Sequence, residues 1–116
     1  MDTTEIRTTN ETTGGQKGSK LQRFGSIPAS VLLELAEHYG KGVRKYPNTG
    51  KGPNYTRGYE WHLSYEAAMR HLTQFWAGED EDPETGSKHV IAAAWHCITL
   101  ALFMETHPEL DDRWEK

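Results

Sequence analysis

Apolar residues recur along this chain with the period of a helix in three places, and over no useful length with the period of a strand. Val31, Leu32, Leu35 and Tyr39 share about a third of a helical circumference, with Glu34 and Glu37 opposite. A first helix is therefore expected from about Pro28, which suits a first turn, to Tyr39. Gly40 and Gly42 are expected to break it, leaving a basic turn, Val43 to Tyr46, that Pro47 ends. Gly50, Gly52, Pro53 and Gly58 mark a loop from Asn48 to Gly58. A second helix is expected between Ser64 as N-cap and Gly78 as stop. Tyr65, Met69, Leu72, Phe75 and Trp76 form its apolar stripe, and Glu66 and Arg70 pair on the other face. An acidic turn, Glu79 to Glu84, leads to a third helix, about Ser87 to Thr106, apolar nearly all round and so expected at the centre. The apolar run Val90 to Met104 is too short to span a bilayer. The fold class expected is all-α, a small bundle of three to five helices.

Composition adds organisation. At 116 residues the chain has room for one ordinary domain. Residues 1–19 hold six threonines, three glycines and two large apolar side chains, so they read as a flexible tail preceding a single domain over 20–116. Only 35% of residues are hydrophobic, a lean core that predicts completion by a homodimer or homotetramer. Thirteen Lys and Arg against 17 Asp and Glu argue against binding a nucleic-acid polymer. A single cysteine, Cys97, excludes an intrachain disulfide and a Cys-based zinc site, and the N-terminal residues lack a secretory pattern. The expected setting is the cytoplasm, without a membrane partner.

Two groups of residues suggest chemistry. Glu34 and Glu37, and Glu79 and Asp82, are pairs three apart, so each pair projects from one side of a helix or helix end. Facing each other, they would give four hard oxygen ligands suited to Mg²⁺ or Mn²⁺; a solvated helix face and an acidic loop explain them equally. Lys41, Arg44 and Lys45 follow the first pair, either to neutralise phosphates or to complement a helix C-terminus. Lys17, Lys20 and Arg23 are weaker cationic candidates. His89 and His96, seven apart, are separated by about 10.5 Å along a helix, too far to share one ion. His96 reads as a core histidine, His89 as the better site candidate, and His71 beside Arg70 as a phosphate contact or an interhelical hydrogen bond. Phosphate-loop, dinucleotide and nucleophile-elbow motifs are missing from the sequence.

The order of short segments is more specific. Gly14-Gly15-x-Lys17-x-x-Lys20, Arg23-Phe24, Ile27-Pro28, Leu35 to Gly42 and Lys45-Tyr46 come first. Gly58-Tyr59-Glu60-Trp61, Arg70-His71-Leu72 and Phe75 to Asp80 follow, then Asp82-x-Glu84-Thr85-Gly86, His89 and Ala94-Trp95-His96. From about Gly14 to Arg113 the chain resembles the phage dATP/dGTP diphosphohydrolase family, MazG-like all-α nucleotide pyrophosphohydrolases. The resemblance implies hydrolysis of a purine deoxynucleoside triphosphate to monophosphate and pyrophosphate, in the host cytoplasm if phage-encoded. It implies Glu34, Glu37, Glu79 and Asp82 as Mg²⁺ ligands and Lys45, Arg70, His71 and His89 on the substrate side. On this reading Lys41, Lys45 and Arg70 clamp phosphates, Glu37 takes a proton from water, and Tyr46, Tyr55 or Trp61 stacks on the base. The alternatives are a catalytically inactive helical protein that binds nucleotide or a host partner, and a purely structural oligomer.

Overall fold

The computed structural model describes residues 5–47 and 50–115. The first four residues of the expected tail, Asn48 and Thr49 of the expected loop, and Lys116 lie outside the described residues. Strands β1 (Ile6–Thr9) and β2 (Gln16–Ser19) are followed by helices α1 (Ala29–Lys45), α2 (Trp61–Trp76) and α3 (His89–Thr106). Short 3₁₀ turns lie at Phe24–Ser26, Asn54–Arg57 and Pro108–Leu110. The described residues divide between Val31 and Leu32 into two compact units.

In the first unit the segment expected as a flexible tail makes an antiparallel hairpin, with Ile6 opposite Ser19 and Thr9 opposite Gln16. The fold is therefore mostly helical rather than purely so. The Asn10 side chain accepts from the Thr12 and Thr13 N–H groups at 3.0 and 2.9 Å, and Gly14 takes φ +76° to close the turn. Every β1 residue is exposed, so neither face needs apolar residues and no alternation marks the strand in the sequence.

In the second unit α1 runs through both glycines to Lys45, and neither adopts the left-handed conformation that stops a helix. A glycine inside a helix costs about 1 kcal/mol. That cost is offset by the bonds the last turns make to residues 84–87: His38 and Lys41 to the Ser87 hydroxyl, and Lys45 to Glu84. Helix α2 begins at Trp61, before Ser64, which is buried and bonds Tyr59 and His96 rather than capping. Gly78, at φ +107°, ends the turn after α2 as expected.

Helices α2 and α3 pack together. The buried residues of α2 are Trp61, Ser64, Ala68 and His71, and those of α3 are His89, Ile91, Ala92, Ala93, Thr99 and Phe103. The expected buried stripe of α2 instead faces out: Tyr65 is 60% exposed and Trp76 87%, with Met69, Leu72 and Phe75 also exposed. Small and hydrogen-bonding residues take the contact because they let the helix axes approach and satisfy one another there. Helix α3, at 18 residues, lies within the expected span of about Ser87 to Thr106 and by length and composition reaches the lower limit for crossing a bilayer. One face of it is committed to α2.

Residues after α3 return to the start of α2. Trp61 Nε1 donates to the His107 carbonyl at 3.1 Å, the His62 N–H and ring bond Asp112, and Arg113 lies 4.9 Å over the Trp61 ring. His107 donates from Nε2 to the Thr56 carbonyl at 2.9 Å. Gly58, at φ +94°, lies beneath that ring, and a Cβ there would meet it at 2.9 Å. Gly58→Ala is therefore expected to cost about 2–3 kcal/mol from strain and displacement of His107, read as a lowered urea midpoint. An unchanged midpoint would contradict the packing of His107 on Gly58.

Candidate functional site

One face of α1 carries Glu34, His38, Lys41 and Lys45 at spacings of four, three and four, which places them in a line along the helix. Each meets the segment 84–88. Lys88 pairs with Glu34 at 3.1 Å, and the Ser87 hydroxyl lies 2.8 Å from His38 Nδ1 and 3.0 Å from Lys41 Nζ. Lys45 Nζ is 2.7 Å from Glu84, whose hydrogen bond raises the ammonium pKa. Glu37 lies off this line, a largely exposed carboxylate 3.9 Å from Lys41.

Behind this face the acidic turn and helices α2 and α3 build a buried chain. The turn from α2 to α3 is fixed by backbone bonds, His89 N–H to the Asp80 carbonyl at 3.0 Å and Asp82 N–H to the Ser87 carbonyl at 2.8 Å. His89 is fully buried, with Nε2 2.6 Å from Glu79 Oε1 and Nδ1 2.9 Å from Nδ1 of His71. His71 stacks on His96 with ring centroids 6.1 Å apart, and His96 continues to Ser64 at 2.9 Å and on to Tyr59.

Proton inventory constrains this chain. A carboxylate only accepts, so His89 carries a proton on Nε2. If His89 is neutral, its Nδ1 accepts, His71 donates from Nδ1, and His71 Nε2 holds a lone pair. That nitrogen has no partner among the described residues, where no buried side-chain nitrogen or oxygen lacks one; it is therefore reachable by water. A proton accepted at His71 Nε2 can be matched by passing the Nδ1 proton to His89, leaving the positive charge beside Glu79. Burial holds the His71 pKa below the usual value, helped by Arg70, His89 and His38 and opposed by Asp82. Burial also lowers His38, helped by Lys41, and brings His96 down to about 4, helped by His71, His38 and Arg70.

These shifts carry a stability consequence. His96 and His71 bind protons more readily unfolded than folded, so their contribution is complete above about pH 6.5, the unfolded value. It is lost as the pH falls from there toward 4, the folded value of His96. His62, raised by its bond to Asp112, and His107, raised by the Thr56 carbonyl and Glu109, gain stability over the same range. The effect is therefore read against His96→Asn: the advantage of wild type in urea midpoint is expected to shrink between pH 7 and pH 4.5, and a constant or growing advantage would show that His96 is not held neutral.

The structure thus brings Lys41, Arg70, His71, His89 and Asp82 into one electrostatic neighbourhood with His38, and reaches Glu79 through His89. Arg70 makes no ion pair with Glu66 among the described residues. Its charge instead bears on His71 and His96. Trp61 and Tyr55 are not placed to stack on a base. Trp61 is buried under the returning C-terminal segment, and Tyr55 packs against Trp95 and Tyr39, whose phenol burial lifts to about 12. Tyr46 is exposed, with Lys45 5.4 Å from its ring centre.

The four expected metal ligands are not gathered. Among the described residues no three His, Cys, Asp or Glu side chains are grouped to hold a metal ion. Glu34 is taken by Lys88, Glu37 by Lys41 and Glu79 by His89, while Asp82 accepts from the Glu84 N–H and the Thr85 hydroxyl in its own turn. Glu34 and Glu37 line a concavity of about 40 Å³ with Glu81 rather than with Glu79 or Asp82. The residues as placed do not fit a four-carboxylate Mg²⁺ centre.

His38, Ser87 and His96 belong to the neighbourhood and were not singled out as site residues by the spacing argument. The four-three-four line of polar residues on α1 was a legible signal for His38, masked by the expectation that Gly40 ends the helix. A family model described as dATP/dGTP diphosphohydrolase, N-terminal, matches residues 11–113. No curated protein and no solved structure matches the chain.

Proposed function

We propose, from the premise that this chain belongs to the dATP/dGTP diphosphohydrolase family by its N-terminal domain, that it hydrolyses a purine deoxynucleoside triphosphate to the monophosphate and pyrophosphate. The observation that carries the proposal is the Glu79–His89–His71 chain, which ends in a water-accessible base beside cationic side chains. Lys41 and Arg70, with Lys45 and Lys88 at the ends of the α1 line, would bind the phosphates, exchanging their present partners for phosphate oxygens. His71 Nε2 would take the proton of the attacking water, and Glu79 would offset the charge that reaches His89. This base is better suited than Glu37, whose carboxylate is solvated and tied to Lys41. The substrate is taken to be the Mg²⁺ or Mn²⁺ complex of the triphosphate, the cation arriving with the polyphosphate.

The test is to incubate the protein with each of the eight common nucleoside triphosphates and Mg²⁺, then separate products. Pyrophosphate with the monophosphate supports the reading, whole tripolyphosphate replaces it with a triphosphohydrolase, and intact nucleotide throughout sinks it. Excess chelator should abolish the activity, because the uncomplexed polyphosphate repels attack. The pairing of every expected metal-binding carboxylate favours a second reading, a nucleotide-binding protein without catalysis; it would bind nucleotide and yield no product in the same assay.

A second copy of the chain is part of the proposal. Tyr65, Met69, Leu72 and Trp76 follow one another along α2 at spacings of four, three and four, the seam of a helix that packs on another helix. All four are exposed. A homodimer joined through this seam would bury them.

A further inference from the structure

The Ser87 hydroxyl stands between two ionisable side chains and has no part in the attack by water at His71. His38 Nδ1 lies 2.8 Å from its oxygen and Lys41 Nζ 3.0 Å. We propose that Ser87 is a covalent nucleophile toward phosphorus, with His38 as its base and Lys41 holding its oxygen. Applied to a triphosphate this rests on the hydrolase reading, and it replaces one displacement at phosphorus by two.

Proton inventory sets the polarity of the trio. An ammonium only donates, so Ser87 Oγ accepts from Lys41. Its own proton then has one acceptor among the described residues, His38 Nδ1. The serine therefore donates to a nitrogen lone pair, the direction that activation of a hydroxyl by a general base requires. Burial, helped by Lys41, favours the neutral, basic form of the imidazole, and the charge of Asp82 favours the imidazolium once the proton has moved. Lys41 also stabilises negative charge as it develops on the serine oxygen. The Ser87 backbone is fixed on both sides, its N–H donating to Thr85 Oγ1 at 3.2 Å and its carbonyl accepting from the Asp82 N–H at 2.8 Å. Although only 8% exposed, Ser87 lines the concavity of about 40 Å³ and so borders open space. The two α1 carboxylates there, Glu34 and Glu37, are paired with Lys88 and Lys41.

In the first displacement Ser87 Oγ bonds to the α-phosphorus and its proton passes to His38 Nδ1. The bond from that phosphorus to the bridging oxygen breaks, and pyrophosphate leaves. In the second, water attacks the same phosphorus and gives a proton to His71 Nε2. The serine oxygen departs and recovers its proton from His38. The sum is hydrolysis to monophosphate and pyrophosphate.

Two measurements on the full chain test this. The first is labelling by a fluorophosphonate, which bonds its phosphorus to an activated serine with loss of fluoride and needs no nucleotide turnover. Peptide mass spectrometry should find the label on Ser87 and not on Ser26 or Ser30, which are exposed and would lead if access alone decided. His38→Asn, whose side-chain oxygen can still accept from Ser87 but is not basic, should slow labelling by about 10²- to 10⁴-fold. Circular dichroism checks that the variant is folded. No label on Ser87, or a rate within about threefold of wild type in folded His38→Asn, overturns the proposal. The second is the stereochemistry of hydrolysis by wild type of an α-thiotriphosphate in water labelled with oxygen-18. Two displacements retain the configuration at phosphorus, whereas inversion overturns the proposal and leaves the hydrolase reading standing. A chain that labels on Ser87 but turns over no triphosphate keeps the nucleophile and loses that reading.

Discussion

His71→Asn should lower kcat for the preferred triphosphate by about 10²- to 10⁴-fold, the range a positioned general base contributes. KM should stay within about threefold, because the interaction removed acts in the transition state rather than on bound substrate. The choice of asparagine matters. Its amide nitrogen can reproduce the donation that His71 Nδ1 makes to His89 at 2.9 Å, so the buried pair stays satisfied while the lone pair at Nε2 is deleted. His71→Gln, whose polar end lies nearer the Nε2 position, should disturb that bond and lower stability as well. In wild type the acid limb of kcat/KM should lie below pH 6.5, since burial lowers the His71 pKa, and the variant should lose that limb. A His71→Asn protein with normal kcat would remove the relay from the mechanism, and a raised KM with unchanged kcat would make His71 a phosphate contact instead.

Leu72→Glu should convert the protein from a species heavier than one chain to one of 13.2 kDa in sedimentation equilibrium. Fully covering a large apolar side chain contributes about 1.5–3 kcal/mol, and Leu72 lies in the middle of a seam of four. Placing a charge there forces either its burial without a partner or separation of the helices. The dimer dissociation constant should rise at least about 100-fold, while helix content by circular dichroism is preserved, because Leu72 is exposed within one chain. Gln74→Glu, one residue from Phe75 on the same helix but off the seam, serves as the charge control and should leave the mass unchanged. Wild type that sediments at 13.2 kDa would show that the α2 seam faces solvent.

Much of the candidate site was legible as residue types. Lys41, Arg70, His71 and His89 share a neighbourhood, and the acidic turn does deliver Glu79 and Asp82 to it. The relations among them were not legible. Glu79 and Asp82 were expected to face Glu34 and Glu37, yet one is held by a buried histidine and the other by its own turn. Spacing says that two side chains project from the same side. It does not say whether a cation nearer in space will claim each one first.

The sequence alone determined what local physics decides: three helices from three apolar periods, a stop to the basic turn at Pro47 because proline has no N–H, and an end near Gly78 because the left-handed conformation favours glycine. Only the tertiary structure decided that α1 passes through two glycines and that α2 turns its small and polar face to α3. It alone decided, too, that His71 and His89 share a proton. Those outcomes depend on partners 18 to 49 residues away, as in His71 with His89 and His38 with Ser87. A periodic pattern identifies a face, but the energy of covering that face belongs to whichever distant segment packs on it.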